Sequence, residues 1–416
     1  MQQLFNAADI AMLGQFVGKE AMAAVGSNSP IIGMVLSLFI GISLGANVII
    51  ARFIGKKNIH GVHAAVHTAI LVALGCGVAM AIAGELLVEP LLRLLSVPEE
   101  IFDLAVLYLR VFWLAMPFIL LYNFESSIFR SQGDTRTPLY CLIASGITKF
   151  FLNLFFILVL DMSVEGVAIG TIIATALSSA MLFYFLCRSQ TEIRVRLTEF
   201  HVDKRILLPM LRIGLPAGMQ GMVFALSNLC IQSAINELGP DVMAASAAAF
   251  NLEIFTFFLI NAFGQVCTTF VSQNYGARNI RRCKQAMKWC LFQDLLLTAC
   301  ICALLILFGV PLLHIFSDDS TVVALGFIRL KYVAGLEIIN TVIEVLSGAM
   351  RGYGSSLIPA LITLFGICGT RVTWVYTVFA WEPDFATLMM VFPVSWAVTA
   401  AILCVAYAWF IKQLKA

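Results

Sequence analysis

Charge is the scarcest thing in this sequence. Only 12% of the 416 residues are Asp, Glu, Lys or Arg, about half of the roughly 25% that a soluble globular chain carries. So little charge cannot cover a surface in water, which excludes a soluble enzyme, a disordered chain and a nucleic-acid binder. Also missing is any CxxC spacing among the 11 cysteines. Scattered along the apolar runs, they read as small core residues rather than as disulfide partners or metal ligands. There is no glycine-rich phosphate loop, serine nucleophile motif or metal-ligand cluster. Neither ATP hydrolysis nor enzymatic chemistry is therefore expected, and no cofactor. The first apolar run is not preceded by a basic stretch with a small-residue cleavage site, so no cleavable leader is expected.

What is present is apolar surface: 61% of the residues are hydrophobic and the mean hydropathy is +0.94. Continuous runs of about 18 residues or more recur along the chain, each long enough to cross a bilayer as a helix. Outer-membrane strands would instead show alternating segments of about ten residues. The expected class is an all-α polytopic membrane protein. The runs fall at 1–17, 29–53, 61–95, 100–131, 137–160 and 165–188, then at 206–238, 242–274, 282–316, 321–352, 357–380 and 386–411. The one long charged stretch, Arg188–Arg205, lies near the middle. It divides the chain into an N-terminal lobe 1–188, a linker 189–205 and a C-terminal lobe 206–416.

Most of the 26 basic residues cluster in alternate loops, around Arg52–Lys57, Arg130–Arg136, Arg188–Arg212, Arg278–Lys288, Arg351 and Lys412–Lys415. The intervening loops hold only Lys19 and Arg93 beside acids such as Glu99, Asp161, Asp318 and Asp384. Cytoplasmic loops retain Lys and Arg, so a multi-pass plasma-membrane protein with a cytoplasmic C-terminus is expected.

The chain also matches itself at an offset of 221 residues, pairing Gly18 with Gly239, Gly55 with Gly276, Pro90 with Pro311, Gly133 with Gly354 and Pro138 with Pro359. Each copy holds six helices. Six is even, so both copies cross in the same sense, and the expected pseudo-twofold axis lies along the membrane normal. Met1 meets Met222, so the counterpart of 206–221 is missing before Met1 and the first of about twelve helices is expected to be shortened.

Charges inside apolar runs mark functional sites by default. The acids are Asp9, Glu125, Glu253, Asp294, Glu337 and Glu344, and the bases Arg110, Lys149, Arg329, Lys331 and Arg371. Asp9 reads either as a carboxylate that exchanges protons or as half of a permanent structural pair. Glu253 is a candidate for a cavity role. Glu344 occupies the repeat position of Asn123, and that pair suits substrate contact or a helix break equally well. Glu125 and Asp294, near the cytoplasmic ends of their helices, read as reaching water by snorkelling. Arg110 and Lys331 are repeat-equivalent, which suggests matched salt bridges in the two halves. His60, His63 and His67 read as a solvated helix start.

Several motifs carry a resemblance. QQLFNAADIAMLG with GKEAMAAVG at 2–26, FRSQGDTRTP at 129–138, LRIGLPAGMQ at 211–220, VSQNYGARN at 271–279 and MRGYGSSLIP at 350–359 are similar to those of the multidrug and toxin extrusion (MATE) transporters. The prokaryotic DinF-like branch is the nearest. The resemblance covers essentially the whole chain. It implies a monomer of two six-helix lobes with a central cavity, exporting small organic, amphipathic or cationic, compounds in exchange for H+ or Na+. The alternative is a flippase for lipid-linked precursors, from the wider superfamily.

Asp9 matches the family's helix-1 carboxylate, tied to cation coupling, and Thr171 a polar position of the same cluster. Asn6, Asn123, Glu253 and Glu344 are expected at the substrate cavity. Where the family often has Asn and then Asp, this chain carries Lys149 and Asn153, and Ile10 replaces the usual Thr. An ammonium in place of a Na+ ligand argues against a Na+ site there. It suggests instead an Asp9–Lys149 ion pair that protonation or substrate binding breaks.

Overall fold

A chain in hydrocarbon must satisfy its own backbone hydrogen bonds, and a helix does so within one segment. A computed structural model describes residues 2–94, 97–196, 198 and 200–414, and no strand occurs among them. The helices are α1 Gln2–Phe16, α2 Lys19–Gly55, α3 Ile59–Leu94, α4 Glu99–Leu114, α5 Met116–Ser131, α6 Arg136–Leu158 and α7 Val164–Arg188. Beyond the polar linker come α8 Lys204–Glu237, α9 Pro240–Gly276, α10 Ile280–Leu307, the short α11 Gly309–Leu313, α12 Ser320–Tyr332 and α13 Ile338–Gly352. A last stretch holds α14 Leu357–Thr363, α15 Thr370–Trp374, α16 Phe385–Met389 and α17 Val391–Gln413.

Nine spans among the described residues are long and apolar enough to cross a membrane, and α4 with α5, bent by 49° just before Pro117, makes a tenth. The other expected segments are α1, with 15 residues, and the α12–α13 pair, broken by a 3-10 turn at Ala334–Leu336. One run starts earlier than expected. The polar Asn28, Ser29 and Pro30 look like a break, yet α2 passes through them. The Asn28 amide nitrogen is satisfied inside the protein, donating to the carbonyls of Ala24 (3.0 Å) and Ala105 (3.1 Å).

The chain divides into two compact units, Met1–Leu211 and Arg212–Ala416, so the division falls inside α8. Residues between α7 and α8 fold back onto the first unit. Thr68 Oγ1 accepts the Asp203 N–H (3.2 Å). His67, expected in water, is buried: its Nδ1 lies 2.6 Å from the His63 carbonyl and its Nε2 accepts the Arg196 N–H at 3.1 Å. The ring edge of Phe200 packs on it, with centroids 5.0 Å apart. A ring with both nitrogens engaged needs no water, which is why the helical spacing of the three histidines misleads.

The two units turn at the same places. Lys57 (φ 55°) and Arg278 (φ 57°), Gly133 (93°) and Gly354 (91°), and Gly18 (137°) and Gly239 (100°) all take left-handed backbone, each pair 221 residues apart. After the first of these turns the Asn58 side chain accepts the Gly61 N–H and the Asn279 side chain the Arg282 N–H, both at 3.0 Å. That N-cap starts the next helix. The matched salt bridges, by contrast, do not appear. Arg110 bonds Glu85 (3.2 Å) and Glu89 (2.9 Å) on α3. Positions 306 and 310, the equivalents of those acids, are Ile306 and Val310, so Lys331 has no matching carboxylates and lies over the Phe327 ring.

One crossing recurs with different side chains. In the first unit α2 meets α5 through Asn47, which donates to the Ser127 carbonyl (3.1 Å), and through the Ser127–Ser43 hydroxyl pair (3.2 Å). In the second, α9 meets α13 at the equivalent positions, where Thr268 Oγ1 donates to the Gly348 carbonyl (3.0 Å). A Cβ at Gly348 would stand 2.3 Å from the Gly264 carbonyl oxygen, so only glycine allows the approach. Gly348→Ala is expected to cost about 1–3 kcal/mol, read as a lower melting temperature in detergent. Gly75→Ala, where a Cβ meets nothing within 4 Å, should leave the melting temperature unchanged.

Candidate functional site

The first unit holds a buried ionic cluster. Asp9 lies midway along α1 and is 3% exposed. On α6, Lys149 and Asn153 are one turn apart and face the same way. Lys149 Nζ lies 2.5 Å from Asp9 Oδ2, and Asn153 Nδ2 donates to Asp9 Oδ1 at 2.8 Å. Both carboxylate oxygens are thus occupied by donors, one of them charged. A carboxylate so deep in apolar surroundings is tolerable only with such partners.

The third wall is α7. A Cβ at Gly170 would stand 2.1 Å from Asn153 Oδ1, so the absence of a side chain there lets Asn153 reach Asp9. Thr171 is next to this contact and buried, but its hydroxyl donates to the Val167 carbonyl of its own helix (2.9 Å) and not to Asp9. Tyr108 on α4 is buried near enough to Asp9 to feel its charge. The sequence reading missed both Gly170 and Tyr108. The repeat carries a signal for the second, because position 108 corresponds to Arg329, itself a partner of a buried acid.

That acid is Glu253. In the second unit Arg329 donates through Nε to Glu253 Oε1 at 3.1 Å and through Nη2 to the same oxygen. Its Nη1 reaches Ser246 Oγ at 2.5 Å. Arg371, wholly buried on α15, sits between π-helical stretches at Leu364–Gly369 and Val375–Phe379. It donates to Asn228 Oδ1 at 2.8 Å, and its guanidinium carbon lies 4.5 Å from the Phe392 ring centre. Glu344 is 3.9 Å from Arg351, which also donates to Gln220 (3.2 Å). Asn123, the repeat partner of Glu344, donates to the Ile119 carbonyl at 2.8 Å. The side chain of Asn6 lies outside the described residues.

The structure thus brings Asp9, Lys149 and Asn153 into one bonded cluster with Thr171 beside it. Glu253 and Glu344 stand in separate contacts of their own unit. Glu125 and Asp294 do not snorkel: both are wholly buried, because their carboxyls bond inside the protein, Glu125 to Ser179 of α7 and Asp294 to Thr298 one turn along its own helix. Among the described residues no group of three His, Cys, Asp or Glu side chains is placed to hold a metal ion.

A family model described as MatE matches residues 1–155 and 216–377. The chain is 26% identical over 381 residues to the "Probable multidrug resistance protein YoeA" of Bacillus subtilis, spanning 89% of this chain and 82% of that one. It is 27% identical over 389 residues to the "Probable multidrug resistance protein NorM" of Thermotoga maritima, spanning 89% and 81%. A solved structure described as "Crystal structure of MATE in the bent conformation" superposes with a TM-score of 0.93 at 21% identity, covering 100% of this chain and 92% of that one.

Removing one half of the buried pair leaves the other uncompensated. Lys149→Ala is expected to destabilise the protein by about 3–5 kcal/mol. Combining Asp9→Asn with Lys149→Met should recover most of that loss in thermal unfolding. An equal loss in the single and double variants would show that the two groups are not coupled.

Proposed function

The chain belongs to the MatE family of membrane transporters, and we propose that it exports small organic, amphipathic or cationic, compounds in exchange for H+ by alternating access. It works as a monomer in the plasma membrane, with the basic loops and the C-terminus in the cytoplasm. Two lines support this reading: relatives across most of the chain bear the name multidrug resistance protein, and the first unit contains the Asp9 cluster.

The observation that carries it is the occupation of Asp9. Lys149 and Asn153 take both carboxylate oxygens, and an ammonium in contact with the carboxylate excludes Na+ from the same place. A proton is the cation that can still arrive. Once on Asp9 it cancels the negative charge and leaves Lys149, itself 7% exposed, without a counter-ion. An uncompensated buried ammonium costs several kcal/mol, so protonation drives α1 and α6 apart. Deprotonation restores the bond and returns α1 to its place against α2 and α6. Two states of one contact, chosen by one proton, give a transporter its coupling. Asn6, Asn123, Glu253 and Glu344 are the proposed substrate contacts.

The test uses purified protein in liposomes and a fluorescent organic cation such as ethidium. Transport should follow an imposed pH gradient and stay near background under a Na+ gradient alone. Asp9→Asn should slow pH-driven transport by about 100-fold, the low end for losing a positioned proton-transfer group. Full-rate transport by Asp9→Asn would sink the coupling role, and Na+-driven transport by the wild type would reassign the ion.

A further inference from the structure

Glu125 on α5 is a wholly buried acid that takes no part in the Asp9 cluster. Its Oε2 accepts the Ser179 hydroxyl at 3.1 Å and its Oε1 has no hydrogen-bond partner. Among the described residues no Lys, Arg or His lies within ion-pair distance of it. The groups around it are Tyr122 of its own helix, Cys141 of α6 and Cys187 of α7. Arg130, a turn further on, donates to Ser127 (2.9 Å). On the neighbouring α2 and α3, Asn47 is engaged by Ser127 and His67 by Arg196. Glu253 also has one unpartnered oxygen, but it pairs with Arg329, whereas Glu125 has no cation beside it, and a glutamine would hold Ser179 equally well. The position instead carries a group that can take up a proton.

A polar row joins this acid to the Asp9 cluster. Thr171, Thr175, Ser178 and Ser179 follow one another on α7 at spacings of four, three and one, which put them on one side of the helix. The row begins beside Gly170, in contact with Asn153, and ends at the Glu125 hydrogen bond. Thr171, Ser178 and Ser179 are buried and Thr175 is half-buried, so the row faces protein rather than lipid. The hydroxyls of Thr171, Thr175 and Ser178 donate to backbone carbonyls of their own helix (2.9, 2.7 and 2.9 Å), leaving oxygen lone pairs to accept. Successive turns are about 5.4 Å apart, a gap that one hydrogen-bonded water spans. From Thr171 to Ser179 the row covers about 12 Å along the helix, towards the basic-loop end.

The second unit shows that the fold does not require this row. The equivalent positions there are Phe392, Trp396, Thr399 and Ala400, and Leu346 stands in the place of Glu125. The row and its acid occur in the unit that holds Asp9.

We propose that Glu125 is the inner proton site of the first unit, receiving through water along the α7 hydroxyls the proton that Asp9 gives up. One proton leaves an Asp9 oxygen, which then pairs with Lys149 again. One proton arrives on Glu125 Oε1 and leaves from there towards the basic-loop side. No electrons move. The inference rests on proton coupling at Asp9, and the experiment separates the two.

In the same liposomes, Glu125→Gln keeps the size of the side chain and an acceptor for Ser179. It should slow pH-driven ethidium transport by about 100-fold, while ethidium binding and ethidium–ethidium exchange, which need no net proton movement, stay within about twofold of wild type. Glu125→Asp should regain much of the pH-driven rate. If Glu125→Gln fails to fold, the combined Thr171→Val and Thr175→Val variant should show the same split between driven transport and exchange. Wild-type driven rates in Glu125→Gln or in the valine variant, with Asp9→Asn inactive, overturn the inner site alone. Wild-type rates in Asp9→Asn overturn the proposed coupling itself. Equal loss of driven transport and exchange would mean a structural role for Glu125 and would also overturn the inner site.

Discussion

Hydrocarbon offers neither hydrogen bonds to a backbone nor counter-ions to a side chain, and both features of this protein follow from that. The backbone condition makes the apolar segments helices, broken where a turn or a capping side chain satisfies the freed groups. The charge condition makes each buried ion seek a partner inside the chain. Asp9 therefore takes both Lys149 and Asn153, and Glu253 takes Arg329. A contact formed under such pressure is sensitive to a single charge. On the proposed coupling, the interaction that lets α1 dock is also the one a proton undoes, so stability and coupling would reside in the same few atoms.

The units share a backbone plan but not an interior. The positions equivalent to Asp9, Lys149 and Asn153 are Cys230, Thr370 and Trp374, and those equivalent to Glu253 and Arg371 are Ile32 and Phe150. Each unit carries ions where the other carries apolar or neutral side chains. The helix plan tolerates the exchange because the crossings depend on small groups such as Ser43, Ser127, Gly264 and Gly348, none of which belongs to the Asp9 or Glu253 pairs.

Much of the fold was legible in the sequence, since apolar run length and the spacing of Gly and Pro report directly on spans and turns. The repeat in particular places its turns at Lys57 and Arg278 and at Gly133 and Gly354. What stayed hidden depends on which helix faces meet. Gly170 is one of 29 glycines until α6 is seen to press Asn153 against it. His67 looks like a solvated residue until the linker closes on its ring. Asn28 looks like a break because its hydrogen-bond partner lies 77 residues away. Glu125 shows the same limit. Its place near a helix end suggests a side chain in open solvent, and only the packing of α7 shows that it is buried.

The paired left-handed turns also bear on how such a protein can diverge after duplication. A side chain at Lys57 or Arg278 sits in backbone that most residues adopt reluctantly, and both copies have kept the turn while their interiors went separate ways. The turns are thus what the two units share, and the buried charges are what sets them apart. A change of buried side chains in one unit therefore leaves the turns of both in place.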